Sequence, residues 1–506
     1  MSAPRAAGTR GEDEGELSEH GYEQVLLRTM GGVRATMVNI STSSVVTAIF
    51  SLYAYGLLTG GTAFVWTWAV GFAILLLVTL MFAELGSSWP IAGALYQWTS
   101  RLVGPRYGYF SGWLYVFSQV AVTAAVAYGL APFIGSLVGS TLTPGQTQAV
   151  AIVFIAVCTL INLIGVVLAS KVASIGAIAE VGGLLILTLV LVITGLGNQP
   201  AEILFNSEGL PPGSAFLPIA LATMLFGSWA YTGLEMTTDM AEETKDASRV
   251  VPRAAISSLV TTFAVGMVFL IVSVLAIPNV KSTFASANPM QAIIQGNTSK
   301  FFYDAILVIV IVAVAVCTMA NQALTARALF SLARDGKFPF ARAVMHVPRS
   351  TRVPAVAIVI VGVTASALLL FTNAIATIAV ASLTALFVCY MMVVWAQLFQ
   401  RLRGKWEPTA WTLGRWSLPV NVLAAVLGTA LTLNIAWPRS VPGMAWYQTW
   451  SGFVFVGVAF AAAAAYYLLG GRKVREAVDR DLVKAASSGP TPGAQAAGEV
   501  AGDIGR

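Results

Sequence analysis

Long apolar stretches recur along the whole chain, and they restrict its fold more than any other feature. Each is long enough to cross a hydrocarbon core of ~30 Å as a helix, whereas barrel strands would alternate over about ten residues. Charged residues form 10% of the 506 residues, compared with about 25% in soluble domains. The sequence therefore predicts an all-α membrane protein with twelve transmembrane helices. The predicted spans are 38–59, 63–83, 109–136, 147–168, 173–196, 215–234, 255–277, 302–326, 353–373, 376–399, 418–437 and 449–470.

The positions of Lys and Arg predict how these helices are oriented. Cytoplasmic loops of membrane proteins carry an excess of both residues. With the N-terminus inside, only Lys281, Lys300 and Arg439 of the 29 basic residues lie outside. We therefore expect both termini in the cytoplasm and a plasma-type cell membrane around the spans. The net charge of +6 follows from this topology, so nucleic acid is not expected as a partner.

The two ends of the chain differ in composition from the spans. Residues 1–24 are rich in Glu and Asp without sustained apolar periodicity, and the other end becomes rich in Ala, Gly, Ser and Pro. Such segments cannot bury enough apolar surface to offset the entropy lost on ordering. Residues 1–34 and 471–506 are therefore predicted to be disordered cytoplasmic tails.

Reactive side chains give no sign of catalysis or of a bound cofactor. The three cysteines lie far apart in apolar stretches, and the two histidines, His20 and His346, lie in polar segments. Neither a metal cluster nor a nucleophile–His–acid set can be assembled from them. A phosphate-binding GxxxxGK[ST] loop is also absent from the sequence. We therefore expect no enzyme, no metal and no cofactor.

Two spans are interrupted by small and hydroxyl-bearing residues. Residues 39–44 of the first span read NISTSS, and residues 226–233 of the sixth read FGSWAYTG. Interrupted helices at matching places in two halves of a transporter indicate a substrate site near the membrane midplane. The alternative is that small residues merely let neighbouring helices pack closely.

Several motifs carry a family resemblance. Residues 229–235 (WAYTGLE), 241–247 (AEETKDA) and 252–254 (PRA) resemble helix 6 and the following loop of the amino acid–polyamine–organocation transporter superfamily. Residues 83–85 with 90–96 resemble its loop after helix 2, and residues 108–113 resemble the start of its helix 3. Residue 327 with 332–339 resembles its loop after helix 8. Residues 53–56 (YAYG) and 60–61 (GG) are similar to the amino acid/choline branch, which includes GABA permeases.

The resemblance implies two inverted five-helix repeats, at 35–200 and 201–400, with two extra helices in 401–470. It also implies alternating access to a substrate between helices 1 and 6. The helix 1 motif of the family corresponds to residues 46–50 (VTAIF), where both glycines are replaced. The added side chains leave a substrate carboxylate less room to approach the backbone, which argues against a free α-amino acid as substrate. The predicted substrate-binding residues are Ser43, Ser44, Thr47, Ala48, Phe226, Gly227, Trp229, Ala230 and Tyr231.

Acidic residues inside spans are functional candidates, because charged groups are costly in a bilayer. Glu180 lies in the fifth span, where proton-coupled relatives often carry a Lys that this span lacks. Burial disfavours the charged form of a carboxyl group, so Glu180 could carry the coupling proton. Its alternative is a hydrogen-bonded Glu facing a polar vestibule. Glu235 follows the sixth-span break and is a second candidate, with a gating or helix-capping role as its alternative.

Charged residues at the cytoplasmic helix ends are candidates for an inner gate. Such a gate needs opposite charges that pair when it is closed and separate when it opens. Ordinary solvated loop charge is the alternative for each of them. The candidates are Glu84, Asp239, Glu242, Arg327 and Arg334, with Glu243 and Asp335 beside them.

The sequence thus favours a secondary transporter of amino acids or related amines such as GABA or choline, coupled to protons. An obligate exchanger is the first alternative, since it needs no proton site. A nutrient sensor without net transport is the second, and a membrane enzyme is the weakest. The oligomeric state is left open by the sequence.

Overall fold

The computed structural model describes residues 30–206, 208, 210, 216–348, 351–371, 375–406, 411–439 and 444–470. The predicted C-terminal tail and residues 1–29 of the predicted N-terminal tail lie outside these ranges. Helix 1 already begins at Gly32, inside the segment predicted as tail. The described residues form helices joined by turns and loops, with one isolated bridge between Met30 and Thr244.

The predicted spans correspond to helical segments, which we number α1 to α12. Two are divided into pieces, marked a and b. The segments are α1a Gly32–Ser43, α1b Val45–Gly60, α2 Trp66–Ser88, α3 Pro105–Leu137, α4 Pro144–Ile164, α5 Val166–Gly195, α6a Phe216–Trp229, α6b Met236–Asp239, α7 Ala247–Leu275, α8 Lys300–Arg334, α9 Ala355–Leu369, α10 Ile375–Leu402, α11 Ser417–Ala436 and α12 Ser451–Leu469.

Ten helical spans in the described chain are long and apolar enough to cross a membrane, with α1a and α1b counted together as one span. The shorter ones, α6a and α9, have 14 and 15 residues. At about 1.5 Å per residue they rise only ~21–23 Å, which is less than a ~30 Å hydrocarbon core. The structure therefore confirms an all-helical, multi-pass membrane protein, while the count of twelve crossings stays a prediction.

Helix ends follow local sequence signals. Thr143 caps α4 with a reciprocal capping box to Gln146, and Pro144 occupies the first turn. The fourth span was expected to run to residue 168, but α4 ends at Ile164. The reason is Gly165, whose φ of 146° is a backbone conformation that L side chains rarely adopt.

Helices at equivalent places in the two predicted halves pack against each other. The contacts pair α1b with α6a, α2 with α7, α3 with α8, and α4 with α9. Contacts between non-equivalent helices also match across the halves: α3–α10 corresponds to α8–α5, and α2–α6a to α7–α1a. With the five crossings predicted for each half, the second half would run through the membrane in the opposite sense to the first. This packing is what two inverted repeats predict.

The innermost part of the bundle contains both interrupted helices, and the outer helices face away from it. Large apolar side chains on α4, α5 and α12 are exposed, for example Leu160 at 64%, Ile193 at 72% and Leu468 at 63%. In a membrane these surfaces contact lipid rather than water. The outer helices therefore separate the polar interior around α1 and α6 from the bilayer.

Candidate functional site

Helix 1 is broken at a single residue, Ser44. Its φ of 37° and ψ of 91° interrupt the helix, so α1a ends at Ser43 and α1b begins at Val45. The Ser44 hydroxyl accepts a hydrogen bond from the Thr47 N–H at 3.2 Å and donates one to the Thr47 hydroxyl at 2.6 Å. The break therefore brings two predicted substrate-binding residues, Ser44 and Thr47, into one buried polar cluster.

Glu180 on α5 reaches the start of α1b. Its carboxylate Oε1 accepts a hydrogen bond from the Val46 N–H at 3.1 Å, and Glu180 is only 1% exposed. The Val45 N–H and the Ser44 hydroxyl lie beside the same carboxyl group. A carboxylate suits this position, because the first N–H groups of a helix lack partners within the helix. Glu180 thus lies at the helix 1 break and not in an open vestibule.

Helix 8 supplies the partners for the carbonyl side of the same break. The Thr42 carbonyl accepts hydrogen bonds from the Asn321 amide at 3.2 Å and from the Cys317 thiol at 3.3 Å. Asn321 also binds the Cys317 carbonyl of its own helix at 3.0 Å. The two ends of the interrupted helix are therefore held by different helices, α5 at the N–H side and α8 at the carbonyl side.

Helix 6 is interrupted over a longer segment. Its first piece ends at Trp229, residues 230–235 form turns, and α6b begins at Met236. Gly233 has a φ of 81°, which a glycine adopts without strain. The Gly233 N–H donates a hydrogen bond to the Tyr390 hydroxyl of α10 at 3.0 Å. The break predicted from the FGSWAYTG segment is therefore present.

The remaining predicted substrate-binding residues lie around these two breaks, and all of them except the half-buried Ser43 are buried. Ser43 donates its hydroxyl to the Asn39 carbonyl at 2.9 Å, and Ala48, Trp229 and Ala230 lie in the interior. The Phe226 ring packs on Phe64, and their ring centres are 4.9 Å apart. This contact gives Phe226 a role in helix packing in addition to its predicted role in substrate binding.

Gly227 and Tyr231 contact helix 2. A Cβ on Gly227 would lie 2.2 Å from the Thr67 carbonyl oxygen, and one on Gly71 would lie 2.0 Å from the Gly227 carbonyl oxygen. The Tyr231 hydroxyl donates to the Trp68 carbonyl at 3.2 Å. These glycines therefore allow α2 and α6a to approach closely, which is the packing alternative for Gly227.

Glu235 is enclosed at the end of the helix 6 break. The Tyr390 hydroxyl donates to its Oε2 at 2.6 Å, and the Gln119 amide of α3 donates to its Oε1 at 3.1 Å. Because Tyr390 also accepts the Gly233 N–H, one hydroxyl joins two residues of the break to α10. Glu235 therefore connects the break to α3 and α10.

Asp239 occupies a different setting from the one expected of a gate residue. Its Oδ1 accepts the N–H groups of Gly93 and Ala94, at 3.0 and 2.9 Å, where the loop helix Ala94–Leu102 begins. Its Oδ2 accepts the Tyr115 hydroxyl at 2.6 Å. The carboxylate thus fastens the loop between α2 and α3 to α6b.

Two ion pairs join α8 to the segment after α6b. Arg327 lies 2.6 Å from Glu243, and Arg334 lies 3.3 Å from Glu242. The side chains of both glutamates are at most 6% exposed. Glu242 also accepts the Ala92 N–H at 3.2 Å. Both pairs are formed in this conformation, and the arginine side chains are only 12% and 16% exposed, so these are not ordinary solvated loop charges.

Glu84, the remaining gate candidate, belongs to another cluster. It forms an ion pair with Arg401 of α10 and accepts the Leu413 N–H at 3.0 Å and the Ser417 hydroxyl at 2.5 Å. Its described partners therefore lie on α10, α11 and the loop between them. Glu84 joins α2 to these helices and is separate from the α6b–α8 ion pairs.

The sequence matches the profile of the family described as amino acid permease over residues 30–461. The chain belongs to the amino acid permease family. Among its relatives, Amino-acid permease BAT1 of Arabidopsis thaliana is 24% identical over 497 residues, covering 90% of this chain and 94% of the relative. Amino-acid permease 2 of Neurospora crassa is 23% identical over 497 residues, covering 93% and 90%. The GABA-specific permease of Saccharomyces cerevisiae is 26% identical over 366 residues, covering 68% and 63%.

The family confirms several predictions made from the sequence. The permease is a member of the amino acid–polyamine–organocation superfamily, and it is a transporter and not an enzyme. The family also supports amino acid transport as its activity. Together with the apolar helices, the family also confirms an integral, multi-pass membrane protein.

Several partners of the permease's candidate site were missed by the sequence analysis. These partners all lie on long apolar helices. Gln119, Tyr390 and Arg401 contact candidate residues, and Asn321 contacts Thr42 at the helix 1 break. A polar side chain inside an apolar run is itself a signal, because polar groups are costly in a bilayer. Their partners could not be read from the sequence, since each contact joins helices far apart in the chain.

Proposed function

We propose that the permease is a proton-coupled symporter of an amino acid or a small related amine, with GABA as a candidate. The substrate would bind between the helix 1 and helix 6 breaks. The similarity to a GABA-specific permease supports GABA as a candidate substrate. Alternating access would expose this site first to one side of the membrane and then to the other.

The ends of the broken helices give the proposed site a defined polarity. The carbonyl ends of α1a and α6a suit a substrate ammonium group, and the N–H end of α1b suits a carboxylate. The first N–H groups of α1b are already engaged, since Val46 donates to Glu180 and Thr47 donates to Ser44. A substrate carboxylate would therefore compete with Glu180 for the N–H groups of α1b.

Glu180 is our candidate for the proton-carrying residue, and its contact with the Val46 N–H is the observation that supports this role. An ionised carboxylate accepts this N–H strongly, whereas a protonated carboxyl group becomes a donor through one of its oxygens. Protonation would thus release part of the helix 1 break at the place where the substrate is proposed to bind. Proton binding and substrate binding would be coupled through the same backbone groups.

Glu235 is a second candidate, which would act on the helix 6 break. A change in its protonation would alter the hydrogen bond from Tyr390, and Tyr390 also holds Gly233. The helix 6 break would then loosen from α10 when the transporter changes its orientation. This role differs from that of Glu180, because Glu235 has no described contact with α1.

The ion pairs Arg327–Glu243 and Arg334–Glu242 are proposed to form the inner gate. They join α8 to the segment that follows α6b, so they would separate when helix 6 moves. Asp239 would contribute by holding the loop helix Ala94–Leu102. We place the gate on the cytoplasmic side of a plasma-type membrane, where the Lys and Arg distribution also places both termini.

The decisive experiment compares Glu180→Gln with the unmodified permease in liposomes under an imposed pH gradient. Gln keeps an oxygen that accepts the Val46 N–H but cannot exchange a proton. Uphill accumulation of the labelled substrate should fall to the level of empty liposomes, while exchange with preloaded substrate should continue. Glu202→Gln, at an exposed loop position, is the matched control and should accumulate substrate normally.

Three other outcomes would change the proposal. Full accumulation by the Glu180→Gln variant would show that Glu180 does not carry the coupling proton. Uptake by the unmodified permease only into preloaded liposomes would identify an obligate exchanger. Binding of amino acids without any flux would instead support a nutrient sensor.

A further inference from the structure

Two acidic residues of helix 6 share one tyrosine of α3. Glu235 directly precedes α6b, and Asp239 is the last residue of α6b. The Tyr115 hydroxyl donates to Asp239 Oδ2 at 2.6 Å and lies beside the Glu235 carboxyl group as well. A tyrosine hydroxyl has a single hydrogen to donate. The two carboxylates therefore compete for the Tyr115 hydrogen.

Gln119 of α3 completes the connection between these groups. Its amide nitrogen donates to Glu235 Oε1 at 3.1 Å and to the Tyr115 oxygen at 3.3 Å, and lies 4.0 Å from the Met236 sulfur. The Gln119 amide oxygen has no hydrogen-bond partner within the described part of the chain. The amide is therefore held through its nitrogen, so its position depends on Glu235 and Tyr115.

The far end of this connection is the loop helix Ala94–Leu102. Asp239 Oδ1 accepts the N–H groups of Gly93 and Ala94, at 3.0 and 2.9 Å. The first N–H groups of a helix have no partner within it, so Asp239 supplies one from outside. Hydrogen bonds thus run without a gap from Glu235 through Gln119, Tyr115 and Asp239 to the loop helix.

Every side chain of this connection is buried. Glu235, Gln119, Tyr115 and Asp239 are each at most 1% exposed. In such surroundings hydrogen bonds are stronger than in water, and neighbouring bonds polarise one another. A change of charge at Glu235 must therefore be met by the groups already in contact. The other ionisable groups close to the two carboxylates are Tyr390 and Cys389 of α10 and Arg327 of α8.

A second route between the two carboxylates runs through α6b itself. The Asp239 N–H donates to the Glu235 carbonyl at 3.1 Å. However, α6b has only four residues, and one turn of helix has little stability of its own. Tyr115 and Gln119 instead lie one turn apart on α3, which has 33 residues. The side-chain route is therefore the firmer of the two.

We propose that Tyr115 is a positioning residue that transmits the charge state of Glu235 to the loop helix. When Glu235 is neutral, the Tyr115 hydrogen stays on Asp239, and the loop helix is held. When Glu235 is ionised, it draws this hydrogen towards itself. Asp239 then loses its anchor on α3, and its hold on the loop helix weakens. This inference rests on the roles proposed above for Glu235 and for the inner gate.

The test measures hydrogen–deuterium exchange of the purified full-length permease in nanodiscs, by mass spectrometry with fragmentation to single residues. An alkaline buffer favours the ionised form of Glu235. Under these conditions Glu235→Gln, which mimics the neutral form, should slow the exchange of the Gly93 and Ala94 N–H groups several-fold. In a Tyr115→Phe background, Glu235→Gln should no longer change their exchange.

Tyr109→Phe is the matched control. Tyr109 is also fully buried on α3, but its hydroxyl donates to the Ala463 carbonyl of α12 at 2.8 Å. In this background Glu235→Gln should keep its full effect. Gln119→Met interrupts the same connection one link earlier and should abolish the effect as Tyr115→Phe does. It keeps the test informative if Tyr115→Phe is unstable.

Two results would overturn the inference. An equal effect of Glu235→Gln with and without the Tyr115 hydroxyl would mean that the charge acts directly or through α6b. No effect of Glu235→Gln in the otherwise unmodified permease would mean that Glu235 does not influence the loop helix. Deuterium exchange needs neither substrate nor a gradient, so both results are separate from the transport test of Glu180.

Discussion

Ser44 holds a backbone conformation that glycine adopts more readily. Its φ of 37° would cost a non-glycine residue about 1–3 kcal/mol. The serine side chain offsets part of this cost by capping the Thr47 N–H, which an alanine could not do. The family's helix 1 motif carries two glycines that this chain replaces, yet the helix still breaks just before that motif. The break therefore depends on hydroxyl capping and on Glu180 instead of on glycine at those positions.

Gly71 gives the sharpest prediction at the scale of one residue. Substituting Gly71→Ala places a Cβ 2.0 Å from the Gly227 carbonyl oxygen, which is backbone and cannot rotate away. We expect α2 and α6a to be forced apart and the folded state to lose about 1–3 kcal/mol. Thermal unfolding of the purified permease in detergent measures the effect.

Gly182→Ala is the matched control for this prediction. Gly182 also lies inside a long helix, α5, but a Cβ there meets no heavy atom within 4 Å. Alanine should therefore leave the melting temperature unchanged or raise it, because alanine has the higher helix propensity. Equal melting temperatures for both variants would mean that the α2–α6a contact tolerates expansion.

Interrupted helices need partners for the backbone groups that the interruption frees. For α1 these partners come from α5 and α8, and for α6 they come from α10. Each break is thus held by elements that are far away in the chain. A movement of α1 or α6 must exchange these hydrogen bonds for others, which limits the permease to a few discrete arrangements.

The contact between α8 and the segment after α6b gives a prediction at the scale of elements. Arg327→Glu alone places like charges together in a buried position, and Glu243→Arg alone does the same. Each single variant should transport poorly, because the closed inner gate is disfavoured. The double variant Arg327→Glu/Glu243→Arg should recover transport, with a coupling energy of about 0.5–3 kcal/mol.

The two single variants and the double variant are compared by their uptake rates and by the accessibility of the interior to thiol reagents. Lys300→Glu provides a control, since its ion pair with Asp304 is on an exposed surface and the Lys300 side chain is 88% exposed. It should change transport little. Additive effects of the two gate substitutions would argue against a functional pair.

At the scale of the whole molecule, the arrangement of basic residues predicts how the bundle sits in the membrane. Lys281→Cys should react with a membrane-impermeant maleimide on intact cells, whereas Arg342→Cys should react only after the membrane is opened. Both positions are exposed, and the three native cysteines are buried, so the background should be low. Labelling of Arg342→Cys on intact cells would reverse the proposed orientation of the permease.

The sequence by itself determined the membrane class, the approximate place of each helix and both helix breaks. These features depend on local composition: apolar runs must be helical in a bilayer, and segments such as NISTSS and FGSWAYTG interrupt them. Sequence motifs in and after the sixth span also identified the superfamily. Helix edges were less certain, as Gly165 shows by ending α4 earlier than its hydropathy suggests.

Only the tertiary structure decided which side chains meet. Glu180 and Val46 are 134 positions apart, and Glu84 and Arg401 are 317 apart. The structure also separated residues with similar sequence signals, since Arg327 and Arg334 pair with the helix 6 segment while Glu84 pairs with α10. The physical reason is that hydropathy fixes whether a segment enters the membrane, whereas contacts between helices depend on which faces pack together.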